Sequence, residues 1–156
     1  MKQTLQLLSA LIAVLAVSAA DADDRWLKKR NGEELYAYVH SNGCPVTTNE
    51  LTGEIHELFI RSRIRPLTTW RPGEVALYVA VDCVETRDGS WMFQITTLLA
   101  ELDQDRSDNI VIAYREQDDF GSFGRGTEAT IRDAARKSAE AAFTKYLKAN
   151  FDLVPD

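Results

Sequence analysis

Residues 75–102 read VALYVAVDCVETRDGSWMFQITTLLAEL, two strand patterns joined by a turn. Val75, Leu77, Val79, Val81 and Cys83 alternate with Ala76, Tyr78, Ala80 and Asp82, the period of two that marks a half-buried strand. Arg87-Asp88-Gly89-Ser90 follows, and Asp-Gly is a favoured hairpin pair because both central residues of the tightest turns need positive φ. The chain then returns from Trp91 to about Leu102, with Trp91, Phe93, Ile95 and Leu99 on one face. An antiparallel hairpin is therefore the seed of the fold.

Upstream, Leu35 to His40 alternates Leu35, Ala37 and Val39 against Tyr36, Tyr38 and His40, a second half-buried strand. Asn42-Gly43 ends it, and Cys44-Pro45 lies in the loop beyond. A helix begins at Thr47 or Thr48, because Thr47 with Glu50 three residues on is a capping box. Leu51, Ile55, Leu58 and Phe59 supply its apolar stripe, and it must end before Pro66.

Downstream, a polar loop from Asp103 to Asn109 precedes a shorter strand, Ile110 to Tyr114. A glycine-rich loop then leads to a helix from Thr127 or Glu128 to about Asn150, striped by Ile131, Ala135, Ala139, Ala142, Phe143, Tyr146 and Leu147. The order β-α-β-β-β-α predicts an α+β fold. The expected form is a two-layer sandwich: a mainly antiparallel sheet of about four strands, with two helices on one face.

The N-terminus carries a different signal. Lys2 precedes a mostly apolar run from Leu5 to Val17, then small residues at Ser18, Ala19 and Ala20, then Asp21, Asp23 and Asp24. That order is the pattern of a cleavable secretory signal over residues 1–20, with cleavage after Ala20 or Ala22. The run is shorter than the about 20 apolar residues that a spanning helix takes, so no membrane span is expected after cleavage. Residues 21–33 read as a polar lead-in, with Trp26 and Leu27 its large apolar groups, and 34–156 as a single domain.

The formal charge of −6 disfavours nucleic-acid binding, since phosphate backbones are repelled by an acidic surface. Two cysteines remain in the expected mature chain. If the two strands pair, Cys83 points inward near a strand end and Cys44 sits just past the end of its neighbour, so one disulfide is expected in an oxidising compartment, with two free buried thiols as an alternative. A metal site from His40, Cys44, Asp82 and Cys83 is the sharper alternative, but no tight ligand pair supports it.

Three constellations carry possible function. Tyr36, Tyr38 and His40 alternate outward on one strand and Tyr78 and Asp82 on another, an aromatic sheet face suited to a protein partner. Strand propensity alone also favours tyrosine there. Arg61, Arg63 and Arg65, with Trp70 after them, form a basic cluster that suits an anion, although cations at a helix C-terminus are favoured in any case. The segment Gly121 to Gly126 precedes a helix, where open amides bind anions, but it lacks the lysine of a phosphate loop, and Asp118 and Asp119 stand before it. His40 with Asp82 could orient a general base, yet no nucleophile beyond Ser41 and Thr47 is near in sequence. His56 neighbours the apolar stripe of the first helix and reads as a residue of its exposed flank.

These readings lead to an exported, periplasmic or secreted, non-enzymatic accessory protein. It would contact a protein or cell-envelope component through Tyr36, Tyr38, Tyr78, Arg61, Arg63, Arg65 and Trp70. The alternatives are a small secreted hydrolase centred on His40 and Asp82, and an anion-binding module in which the arginines and the glycine-rich loop converge. No cofactor or metal is expected.

Overall fold

The computed structural model describes residues 25–28, 31–105, 110–115 and 120–151. The predicted signal, Met1 to Ala20, lies outside them, as do Asp118 and Asp119. After a 3-10 turn at Arg25–Leu27 come β1 (Glu34–Asn42), α1 (Thr48–Arg61), β2 (Arg65–Leu67), β3 (Val75–Glu85), β4 (Trp91–Gln104), β5 (Ile110–Arg115), β6 (Ser122–Gly126) and α2 (Glu128–Phe151). The fold is α+β, two helices with a mixed, curled sheet.

The β3–β4 hairpin runs in register from Val75 opposite Glu101 to Glu85 opposite Trp91. Around it the strand order is β2-β1-β3-β4-β5, with β6 also paired to β4. β1 is parallel to β2 and to β3. The sheet is thus mixed rather than mainly antiparallel, and has six strands among the described residues rather than about four. The cause lies in the connection from Asn42 to Val75. It carries α1, and a connection of that length returns the chain parallel to its starting strand, as no short turn can.

The two unforeseen strands are short and weak in strand propensity. β2 is Arg-Pro-Leu. β6 is Ser-Phe-Gly-Arg-Gly, the segment read from sequence as a loop. It is held by its place beside β4: Gly124 faces Phe93, and a Cβ there would come within 2.8 Å of the Phe93 ring. An aromatic ring covering a strand glycine restores the packing that glycine lacks.

α1 begins with the expected box. Glu50 N–H donates to Thr47 Oγ1 at 3.3 Å, and Thr47 N–H donates to Glu50 Oε2 at 2.8 Å. It ends in a Schellman motif, with Ile64 N–H on Phe59 C=O at 2.9 Å and Arg63 N–H on Ile60 C=O at 3.0 Å. Arg63 takes the left-handed position at φ 61°, where glycine is usual.

The main core lies between one sheet face and the helices. Leu35 and Ala37 of β1, Val75, Leu77, Val79 and Val81 of β3, and Phe93, Ile95 and Leu99 of β4 pack with Leu51, Ile55 and Phe59 of α1. Ile131, Ala135, Ala139, Ala142, Phe143 and Tyr146 of α2 complete it. The rings of Phe59 and Phe143 stack at 4.9 Å, which locks the helices together. Leu27, from the segment read as a polar lead-in, is wholly buried here. The Tyr146 hydroxyl donates to Gly32 C=O and Glu34 C=O, and burial pushes its pKa up to about 12. That bond ties α2 to the start of β1.

Candidate partner-binding face

The sheet face away from the main core carries a smaller cluster. Ala76, Leu98, Ala100 and Leu102 are buried there, with Tyr36, Tyr38, Tyr78 and Trp70 half-buried against them. Strand register explains the gathering. Tyr38 stands opposite Tyr78 across β1 and β3, and Tyr78 opposite Leu98 across β3 and β4. The Tyr38 and Tyr78 rings stack at 5.3 Å with 7° between their planes. Burial raises the pKa of Tyr36 and of Tyr78, with Tyr38 adding to both, so these two hydroxyls stay protonated donors at neutral pH. Trp70 comes from the loop after β2, and its indole N–H is buried with no acceptor among the described residues. Trp70 therefore belongs with the tyrosines, not with the arginines that precede it in sequence.

The arginines lie along the α1–β2 connection. Arg61 pairs with Glu57 at 3.1 Å, and Arg65 pairs with Glu34. The Arg61–Glu57 pair is exposed on both sides, and such pairs contribute about 0–1 kcal/mol. Arg65 shares its face with Glu34 and Leu67 with Tyr36, so Arg65 borders the tyrosine face at its β2 edge. It does not meet Gly121 to Gly126. β2 and β6 lie at opposite edges, with β1, β3 and β4 between them. Within β6, Arg125 is already engaged: its Nε donates to Ser90 Oγ at 2.7 Å and its guanidinium pairs with Asp88, pinning the hairpin turn.

The cysteines meet. Cys44 and Cys83 form a disulfide with Cα atoms 4.8 Å apart. Gly43 makes this approach possible. Its φ is +64°, and a Cβ would lie 2.7 Å from Cys83 C=O. With both sulfurs in that bond, the metal arrangement of His40, Cys44, Asp82 and Cys83 loses its thiolates. Among the described residues no three His, Cys, Asp or Glu side chains gather as a metal site.

His40 is exposed and stands opposite Ala80, while Asp82 stands opposite Asn42 and accepts its Nδ2–H at 3.1 Å. The nearby hydroxyls are committed elsewhere. Ser41 Oγ donates to Val46 C=O at 2.7 Å, and Thr47 Oγ1 serves the helix cap. His56 is half-buried on α1, where burial lowers its pKa and keeps it neutral at pH 7. It lines, with Thr52, one wall of a cleft of about 350 Å³ whose other walls are Tyr36, Ala37, Tyr38, Val39, Leu67 and Thr68. Helical spacing put His56 on a flank; only the tertiary structure reveals that the flank faces the tyrosines.

The chain matches no known protein-family model and no curated protein. Among the described residues no helix is long and apolar enough to cross a membrane.

Proposed function

We propose that this chain is an exported accessory protein that captures a protein or cell-envelope partner through the face built by Tyr36, Tyr38, Tyr78 and Trp70. The observation that carries the reading is the stacked Tyr38–Tyr78 pair, half-buried beside Tyr36 and Trp70 on the sheet face that the helices leave uncovered. Rigid aromatic rings with protonated hydroxyls offer large contact area at small entropic cost, which is why tyrosine and tryptophan concentrate in interfaces. Arg63 is held at a φ that glycine would relieve, and a charged side chain kept at such a position supports a role for its guanidinium towards an acidic group on the partner. Export rests on the N-terminal sequence pattern, and the Cys44–Cys83 disulfide fits it.

The test is capture from envelope extract by the mature chain as bait, compared with Tyr36→Ser/Tyr78→Ser. The double variant should lose the captured partner while keeping its disulfide and its circular dichroism. Tyr36→Phe/Tyr78→Phe, which keeps the packing, separates lost recognition from lost folding. Equal capture by the serine variant and the wild type would refute the proposal.

A further inference from the structure

Among the described residues, the edge of β1 is only partly covered. β2 pairs with it at Glu34, Leu35 and Tyr36 and goes no further. Two hydrogen bonds fix which main-chain groups point to that edge. Glu33 C=O accepts from Arg65 N–H at 2.7 Å, and Ser41 N–H donates to Thr48 Oγ1 at 3.0 Å. Both point away from β3. Successive residues of a strand direct their N–H and C=O to opposite sides, and the β1–β3 register is continuous from Tyr36 to Asn42. The N–H and C=O of Val39 therefore point outward too, along with Ala37 C=O, and among the described residues no strand receives them.

The gap is bounded. Leu67 and Thr68 close one end, and the Ser41–Thr48 bond closes the other. Thr52 and His56 form one wall; Tyr36 and Tyr38 form the other. From Ala37 to Ser41 the strand spans roughly 13 Å, room for about four extended residues. Natural sheet edges are commonly blunted by proline, charge or brevity. β2 shows all three, with Pro66, Arg65 and a length of 3 residues. The open stretch Ala37-Tyr38-Val39-His40 shows none of them.

We infer that this gap accepts an extended segment of a partner polypeptide, added as a strand beside Ala37–Ser41. The inference rests on the partner-binding reading above and specifies how the partner is held. Main-chain bonds to Val39 would supply affinity, and alternate side chains would supply choice. One parity of the segment meets Tyr38, stacked on Tyr78, and takes an apolar or aromatic residue. The other meets Thr52 and the neutral His56 and takes a small or polar one. The occupant is thus a short extended peptide of alternating apolar and polar residues.

The experiment selects binders from a random octapeptide display library on the oxidised mature chain, then resynthesises the best binder with N-methyl groups at alternate amides. N-methylation at one parity should weaken binding by about tenfold or more, and at the other parity leave it unchanged, since only one parity's amides face the open edge of β1. In the unmodified protein, saturating peptide should slow hydrogen exchange at the Val39 amide, while Tyr38 and His40, bonded towards β3, are protected with or without it. Val39→Pro removes the outward N–H without touching the β1–β3 bonds and should abolish binding; the exchange measurement decides the matter if that variant fails to fold.

A selected peptide that depends on Tyr36 and Tyr78 but leaves Val39 exchange unchanged would overturn strand addition and spare the sheet-face reading. Selection of no peptide at all counts against both. A concentration-dependent dimer that Val39→Pro dissolves would make the occupant a second copy and overturn the partner segment.

Discussion

Two residues carry conformations that their neighbours impose, and they respond to substitution in opposite directions. Gly43 has φ +64° and sits where any Cβ would strike Cys83 C=O at 2.7 Å. Gly43→Ala must accept left-handed strain and push β1 away from β3 beside the disulfide. The expected loss is roughly 1–3 kcal/mol in urea unfolding of the oxidised protein. An unchanged midpoint would show that the loop relaxes freely. Arg63 is the reverse case, a side chain standing at φ 61° in the Schellman position. Arg63→Gly should gain about 0.5–1 kcal/mol. The same variant should bind the partner more weakly if the guanidinium is kept for recognition. Stability gained without loss of capture would leave Arg63 with no part in the interface. Neither φ was legible in the sequence. Asn42-Gly43 announced a turn, but the close approach to Cys83 depends on how β1 and β3 pair.

At the scale of elements, the helices are joined outside the core by one guanidinium. Arg132 of α2 donates to Glu54 at 2.8 Å and to Glu50 and Glu128 at 2.7 Å each. Glu50 also accepts from Thr47 in the cap of α1, and these bonds, the Thr47 backbone first, lower its pKa from 4.5 to about 2. A carboxylate with a depressed folded pKa stabilises above its unfolded pKa and ceases to do so as pH falls through the folded value. The protein should thus lose stability between about pH 4.5 and pH 2 through this group. Glu50→Gln should be less stable than wild type at pH 7, and the difference should close as pH approaches 2; a gap independent of pH would detach Glu50 from the acid limb. Element type was largely readable beforehand. The β3–β4 hairpin, β1 and both helices announce themselves through alternation, caps and stripes. β2 and β6 do not, because Arg-Pro-Leu and Ser-Phe-Gly-Arg-Gly become strands only when β1 and β4 supply the partner edges. The tyrosine face was foreseen from period two alone, whereas Trp70 joining it and His56 lining its border required the folded chain.

For the whole molecule, the Cys44–Cys83 bond closes a loop of 39 residues that contains α1, β2 and most of β3. It therefore spans the connection that makes β1 and β3 parallel, the longest-range step in assembling the sheet. In the chain-entropy account, a crosslink over such a loop destabilises the unfolded state by about 4 kcal/mol. Domains of this size are stable by about 5–15 kcal/mol, so the core should survive without the bond, but with little in reserve. Cys44→Ala/Cys83→Ala should fold to the same far-ultraviolet spectrum and unfold at a markedly lower urea concentration. Its dependence on denaturant should be steeper, because the uncrosslinked unfolded chain exposes more surface. Equal midpoints for the two forms would mean that the core alone sets stability. The same bond links stability to compartment. Kept in a reducing compartment, the chain would hold two thiols and lack that contribution, whereas export lets the bond persist. Mass measurement without reductant on protein from its native source should find the two hydrogens missing, and finding free thiols there would undo both the staple and the proposed address.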